Sequence, residues 1–459
     1  MPADPDESSA VKTRGHLLRV LGVGFGLAVT IGGTIGMGIL RTPGEVAARL
    51  PGSSLFLAVW VAGGIYSLLG AVSVAELATM IPRSGGWYVF AHRALGNYPG
   101  FVIGWSDWLS TSGTMALISM VIGEYTGVLF PELAGQTKSI ALVIVLVFAA
   151  LQWRGIRWGS LTQNLTSLLK ALVFLILIAA AFTHGGKGEG SGHPFNAGSG
   201  AVIPHGLGFW LALVLALQGV LYTYDGWYGV IYFGEEVRNQ KRDITASIFG
   251  GLLLVIVIYL LVNLSLLYVL PMSQLAGESL AVGAEARVIF GGYGDTVIRV
   301  IAILSMLSTV NAQLLIAPRI LYAMSCDELF DRRGTTVNKG GTPTITLVIS
   351  AVVAVIFILT GTFEKVLAVI AFFFVANYTM AYVSVFLLRW REPDLPRPYR
   401  AWGYPWTTSL ALIGAIAYLG GAIAGDTRNS LRALGALAIS YPVYLIVKLL
   451  AARSSRVEL

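Results

Sequence analysis

Residues 31–40 read IGGTIGMGIL, setting Gly32, Gly33, Gly36 and Gly38 inside an otherwise apolar stretch. Residues 222–229 read YTYDGWYG, setting an acid and glycine among aromatic residues. Lys170 stands alone in LTQNLTSLLKALVFLILIAAAF, twelve residues from Trp158 and twelve from Phe182. Each is costly where it stands. Glycine weakens a helix interior by about 1 kcal/mol relative to alanine. A lysine at a bilayer centre costs about 3 kcal/mol, and about 18 Å of helix to either end exceeds its snorkelling reach. The chemistry such groups offer comes from a helix broken at its glycines. The N–H groups of Gly36, Met37 and Gly38, at the positive end of a second half-helix, suit a carboxylate. The carbonyls that end first half-helices, around Thr34 and around Tyr222 and Thr223, suit an ammonium, and glycine lets a ligand approach the backbone closely. A zwitterion matches both poles. Small-residue packing through Gly32 and Gly36 explains the first stretch alone equally well, so the second break decides in favour of split helices.

The elements that must hold these groups are membrane spans. The chain has 459 residues, 56% hydrophobic and 12% charged, against about 25% charged in soluble domains. Stretches of about 20 apolar residues cross a bilayer. Twelve are read, at 17–49 (interrupted), 53–80, 99–129, 138–154, 158–183, 207–237 (interrupted), 244–270, 294–325, 343–362, 364–390, 405–425 and 431–451. The fold class expected is an all-α polytopic membrane protein in which spans one and six are discontinuous. Span six opens a second group of five and crosses opposite to span one. Paired broken spans at matching places in two halves point to a transporter site at the midplane of an inverted repeat. The organisation is therefore a tail at 1–16, a first five-helix repeat at 17–183, a loop at 184–206, a second inverted repeat at 207–390, two further helices at 391–451 and a tail at 452–459. Alternate loops with both tails hold 21 of the 31 lysines and arginines and the other side nine, which places both termini in the cytoplasm of a cell with the protein in its plasma (inner) membrane. The polar, acidic start followed by a long apolar segment reads as a cytoplasmic tail and not a signal peptide.

Lys170 is expected to set its ammonium between span-one carbonyls and the span-eight hydroxyls of Ser308 and Thr309, replacing a sodium ion or carrying a proton as the coupling ion. Asp225 either reads a substrate group or caps the N–H groups of the following half-helix. Tyr222, Tyr224, Trp227 and Tyr228 shape the pocket around Gly226. Glu76 reads as an interfacial or gate residue, and the EEVRNQKRD run (235–243) as a solvated helix end or an inner-gate ion network. Asp107 and Glu124 receive no role. Residues 83–98 (RSGGWYVFAHRALGNY), aromatic and basic, read as a segment lying at the interface.

Other classes are excluded or set aside. One cysteine, Cys326, forbids an intramolecular disulfide and a Cys/His metal framework, and His184, His193 and His205 show no ligand spacing. Neither metal nor cofactor is expected. The net charge of +7 is spread over short loops, so no nucleic-acid partner is expected; the partners expected are the lipid bilayer and a small zwitterion such as an amino acid at the broken helices. No phosphate-binding GxxxxGK motif ending in Ser or Thr occurs, which excludes an ATP-driven pump, and no nucleophile–base pair marks an enzyme. A channel and a non-transporting sensor of amino acids remain as alternatives.

At these same residues a family resemblance emerges. GGTIGMGILRTPG resembles the first-helix signature of the amino acid–polyamine–organocation superfamily, usually GxIIGSGIFxxPG. AVSVAELATMIPRSGGWYVFAHRALG resembles its span-two signature, YDGWYGVIYFGEEVRN the YxGWxxxxFxxEEVKNP of the L-type branch, and STVNAQLLIAPRILYAMSCDELF its span-eight motif. The match covers about residues 20–400. It implies a five-plus-five inverted repeat with two peripheral helices, and secondary transport of amino acids by alternating access, as exchanger or proton symporter. It also implies that Gly36, Met37 and Gly38 form the carboxylate-binding turn. Thr34 and Tyr222 would offer carbonyls to the substrate amine, Tyr222 would be an aromatic gate, and Lys170 would fill the sodium-equivalent site of sodium-independent members. Three departures stand out: Met37 replaces the usual Ser, Gln240 the usual Pro and Glu328 the usual Gly. PELAGQTKS, between spans three and four, has no cysteine, so the disulfide to a heavy-chain partner of animal L-type members is not expected. Neutral amino acids are the favoured substrates; cationic amino acids or polyamines are the alternative, through Asp225.

Overall fold

Apolar runs of this length leave no water to satisfy the backbone, so each must close its own hydrogen bonds as a helix. The structure, a computed structural model, describes residues 16–50, 52–184, 206–360, 363–425, 431, 435 and 438–448. In chain order the helices are α1 (Val23–Thr34), α2 (Met37–Arg49), α3 (Ser53–Met80), α4 (Trp87–Leu95), α5 (Asn97–Leu129), α6 (Thr137–Trp153), α7 (Ile156–His184) and α8 (Leu207–Tyr224). They continue with α9 (Gln240–Val269), α10 (Met272–Leu275), α11 (Ala281–Phe290), α12 (Gly294–Cys326), α13 (Thr344–Thr360), α14 (Phe363–Arg391), α15 (Trp406–Gly425) and α16 (Ala438–Lys448). The β-structure among the described residues is three isolated bridges, including Leu21 with Val237 and Ser84 with Phe233. Among the described residues, five helices are able to cross a membrane by length and composition alone, or six with α1 and α2 taken as one bent span. The chain is all-helical and polytopic, and a helix occupies each interval read as a span.

The first break is where the sequence places it. α1 ends at Thr34 and α2 starts at Met37, with a 46° bend between them. The second differs from expectation. α8 ends at Tyr224, and the chain continues through turns and a short 3-10 segment, Gly229–Tyr232, in place of a second α half-helix. The cause is local. Gly226 adopts φ +106°, and a Cβ there would lie 2.8 Å from the carbonyl carbon and oxygen of Gly33. The two breaks therefore cross backbone against backbone, an approach that a side chain on residue 226 would block.

The 83–98 segment also differs. It folds as α4, and Trp87, Tyr88, Val89, Phe90, Ala91 and Ala94 are buried against the protein, chiefly α5 and α14. Its aromatic face serves internal packing, not the bilayer surface. Residues 185–205, including His193 and His205, lie outside the described residues.

Candidate functional site

α7 brings Gln163, Ser167 and Lys170 to one face, spaced by four and three residues, and all three are buried against α1 and α12. The Lys170 ammonium, 1% exposed, donates to the carbonyls of Gly32 (2.8 Å) and Ile35 (2.6 Å) and to Thr309 Oγ1 (3.3 Å). Thr309 itself donates to Gly32 O (2.9 Å), and Ser305 Oγ donates to Ile35 O (3.0 Å). The carbonyls left over by the end of α1 are thus satisfied by a cation and two hydroxyls, as the loss of their intrahelical donors requires. Ser308 is one step away. Its hydroxyl pairs with Ser167 Oγ (3.0 Å) and accepts from Gln163 Nε2 (3.2 Å), and it makes no hydrogen bond with the lysine. Asn311 extends this network to Gln163 Oε1 (2.8 Å) and Gln152 (3.1 Å).

Tyr259 on α9 was not singled out from the sequence, yet its hydroxyl joins the two breaks. It lies 2.8 Å from Thr34 O, the last carbonyl of α1, and 3.0 Å from Thr223 O in the last turn of α8. Two carbonyls read as ammonium acceptors thus already have a partner, although each carbonyl keeps a second lone pair. Thr34 Oγ1 is buried with no hydrogen-bond partner among the described residues.

On the α2 side, Gly36 is the N-cap and supplies no side-chain cap, so the first-turn N–H groups stay open to a ligand. No atom would meet a Cβ on Gly36 within 4 Å, so the space beside it is open, whereas one on Gly38 would meet Thr223 at 3.0–3.2 Å. Thr223 donates to Thr42 Oγ1 (2.8 Å), fastening α8 to α2. Met37 is half-buried at the first position of α2.

The aromatic residues of the second break part company. Tyr224 turns into the core, where its hydroxyl donates to Trp60 O (3.2 Å) and its ring packs on Trp60 and Tyr259. Tyr222, Asp225 and Trp227 instead line a partly open pocket together with Tyr66, Tyr378, Tyr382 and Tyr418 from α3, α14 and α15. The residues of the α1–α2 break do not line it. The Asp225 carboxylate accepts from the hydroxyls of Tyr378 and Tyr228 and lies beside the Gly226 N–H. Of the two roles left open by the sequence, capping finds no α half-helix beyond Asp225 among the described residues, and its carboxylate is held by tyrosine hydrogen bonds. Trp227 stacks on Tyr378 at 6.0 Å, and its carbonyl accepts from Thr30 (3.1 Å).

The remaining acids hold elements together. Asp107 is buried and accepts twice from Tyr232 OH (3.1 and 3.0 Å). Glu124 is exposed. Glu76, 1% exposed, is gripped by Arg389 (2.9 and 2.6 Å) and by the Ala401 N–H (2.6 Å). In the 235–243 run, Glu236 forms a buried two-pronged pair with Arg319 of α12 (2.8 Å for the second prong), under the ring of Phe233. Asn239 caps α9 through Arg242 N (3.2 Å). Beyond the end of α12, Asp327 binds Arg83 (3.0 Å), Tyr88 (2.9 Å) and His92 (3.3 Å). Burial alone would raise this carboxyl, but the hydrogen bonds from His92 and Arg83 and the charge of Arg83 outweigh it and hold it at about 2. The hydrogen bond to Asp327 in turn raises His92 above its ordinary value.

A family model described as amino acid permease matches residues 26–441. The chain is similar to the serine/threonine exchanger SteT of Bacillus subtilis (strain 168), 30% identical over 419 residues that cover 90% of this chain and 93% of that one. It is also similar to the b(0,+)-type amino acid transporter 1 of Homo sapiens, 25% identical over 393 residues, 84% of this chain and 79% of the other. The Asc-type amino acid transporter 1 of Homo sapiens is 25% identical over 397 residues, 84% and 74% of the two chains.

Proposed function

The chain belongs to the amino acid permease family, and from that premise we propose that it is a sodium-independent secondary transporter that moves neutral amino acids across the plasma membrane by alternating access, as an exchanger or a proton symporter. It is a membrane transporter and not an enzyme. The observation that carries the finer reading is the Lys170 ammonium at the first break, within 2.6–2.8 Å of two carbonyls that a coordinated cation would otherwise need to satisfy. A fixed positive charge there removes the place and the electrostatic need for sodium. The open N-terminus of α2 at Gly36, Met37 and Gly38 receives the substrate carboxylate. The unpartnered Thr34 hydroxyl and the break carbonyls of Thr34, Tyr222 and Thr223 face its ammonium. In this reading twelve spans form a five-plus-five inverted repeat with two peripheral helices and cytoplasmic termini. The protein works without a disulfide-linked heavy chain, because its one cysteine, Cys326, comes after span eight.

A second reading, transport of cationic amino acids or polyamines, is favoured by one observation: Asp225 faces a tyrosine-lined cavity next to the break. The test is counterflow. Purified protein in liposomes preloaded with one amino acid is given labelled neutral and cationic amino acids outside. Saturable uptake of neutral ones that depends on internal substrate supports the proposal, and selective uptake of cationic ones supports the second reading. Uptake into empty liposomes driven by inward protons marks a symporter. Binding without flux under any gradient would leave a sensor.

A further inference from the structure

Among the described residues, one buried carboxylate is held by neither an ion pair nor a hydrogen bond. Glu285, in the middle of α11, is 0% exposed, and neither of its carboxylate oxygens has a hydrogen-bond partner among the described residues. Ser265 of α9 lies beside it, and its hydroxyl by itself favours the ionised form, an effect that burial outweighs; the Ser265 proton is also donated to Val262 O (2.9 Å), which leaves its oxygen as an acceptor for a protonated carboxyl. Two residues before it, Asn263 spends its amide on Tyr259 O (2.7 Å) and leaves Oδ1 buried and unpartnered. An ionised carboxylate here would lose its water and face an acceptor, whereas a neutral acid has an O–H to donate.

The cations on the elements around it are committed elsewhere. α11 packs on α2, α7, α9 and α12. On α2, Arg41 donates to Ser279 O (3.3 Å) and Arg49 pairs with Glu45 (3.7 Å). On α11 itself, Arg287 pairs with Glu278 (3.5 Å) and Asp295 (3.3 Å), and on α12 Arg299 lies 5.2 Å over the Tyr125 ring. Lys170 is held in the first break, and His184, exposed at the end of α7, pairs with Thr183 (2.7 Å). Arg157, Lys241, Arg242 and Asp243 lie at the opposite ends of α7 and α9, Arg319 near the far end of α12 is paired with Glu236, and Tyr259 and Tyr268 are the tyrosines of α9.

The segment leading into α11 is seated on α2, the half-helix after the first break. Gly277 N donates to Gly44 O (2.9 Å), and a Cβ on Gly44 would lie 2.1 Å from Glu278 O. We propose that Glu285 is a proton-binding site on the extracellular side, protonated while α11 is packed on α2 and α9, and deprotonated to outside water when α2 and α11 separate. The proton moves from the carboxyl to external water, and no other bond changes. By linkage, acid outside then favours the packed state and opposes access of substrate to the α2 N-terminus.

The transport consequence rests on the proposed function; the protonation does not, and the experiment separates them. Infrared difference spectra of the full-length protein in lipid at neutral pH are compared with those of Glu285→Gln. The wild type is expected to show a buried carboxylic-acid C=O band that the variant lacks, and Ser265→Ala, which removes the acceptor, is expected to shift that band without abolishing it. A Glu285 that absorbs only as carboxylate, or whose band responds to sodium and not to pH, overturns the site. In counterflow, the external KM is expected to rise as external pH falls, by up to about tenfold per pH unit, the limit for one proton, and Glu285→Gln is expected to exchange with a high, pH-independent KM. An unchanged pH profile in that variant overturns the coupling even where the band is present.

Discussion

At the scale of single residues, Lys170 has the most to lose. Its ammonium donates to two carbonyls that α1 cannot satisfy within itself; Thr309 and Ser305 still reach them without it, so what is lost is hydrogen bonds from a charged donor, about 1.5–3 kcal/mol each. Lys170→Ala is expected to lower the unfolding temperature in detergent and to cut exchange by at least about tenfold, since about 1.4 kcal/mol already corresponds to that factor. Thermal unfolding and counterflow on the same preparation check both. Asp225 makes the contrasting case, because its carboxylate is held by Tyr378 and Tyr228 and Asn still accepts from hydroxyls. Asp225→Asn is expected to leave exchange of neutral amino acids within about threefold, a loss under ~1 kcal/mol, measured by competition with unlabelled neutral and cationic amino acids. Loss of inhibition by cationic amino acids alone would instead favour the cationic reading.

At the scale of elements, helices are latched to one another by charge clusters of different depth, two of which are instructive. The Glu236–Arg319 pair is buried (0% and 1% exposed) and joins α12 to the chain leading into α9. Removing one partner of such a pair costs about 3–5 kcal/mol, because the other charge is stranded. Arg319→Met is therefore expected to destabilise by that amount, and the double change Arg319→Met with Glu236→Leu to recover most of it, as denaturation midpoints would show. The cluster on Asp327 is half-buried and titrates. His92 has a raised pKa in the fold, so its contribution to stability is complete below the ordinary histidine value and is lost as pH rises through the raised one. Asp327 has a lowered pKa, at about 2, so its contribution stands above the ordinary value of 3.8 and is lost as pH falls towards about 2. Thermal stability is therefore expected to fall as pH rises from the ordinary histidine value of 6.5 through the raised one, a slope that His92→Gln removes; a thermal scan across pH in both proteins checks the sign.

At the scale of the whole molecule, the parts legible in the sequence are those fixed by local backbone chemistry and by single exceptions to apolarity. The glycines of IGGTIGMGIL give the break between Thr34 and Met37, and Lys170 in an apolar run ends beside the Gly32 and Ile35 carbonyls. The illegible parts depend on rotation and tilt of helices against one another. Tyr259 looks like any aromatic in a long apolar helix, yet its hydroxyl bridges two breaks more than 180 residues apart in sequence. Tyr222 and Tyr224 are two residues apart, and only packing sends one to a cavity and the other to the core. A helical face could have exposed Gln163 and Ser167, four and three residues apart from each other and from Lys170. Glycine at 226 signals a break, but neither its close approach to Gly33 nor the 3-10 winding of the chain beyond it is written in the local sequence.

The central claim is that a side-chain ammonium stands in for a coupled cation, and the most direct measurement is counterflow of a neutral amino acid with and without sodium, in the wild type and in Lys170→Ala. The account predicts full wild-type exchange in the absence of sodium, no stimulation when sodium is added, and loss of exchange in the variant. Wild-type exchange that requires or is stimulated by sodium would contradict it.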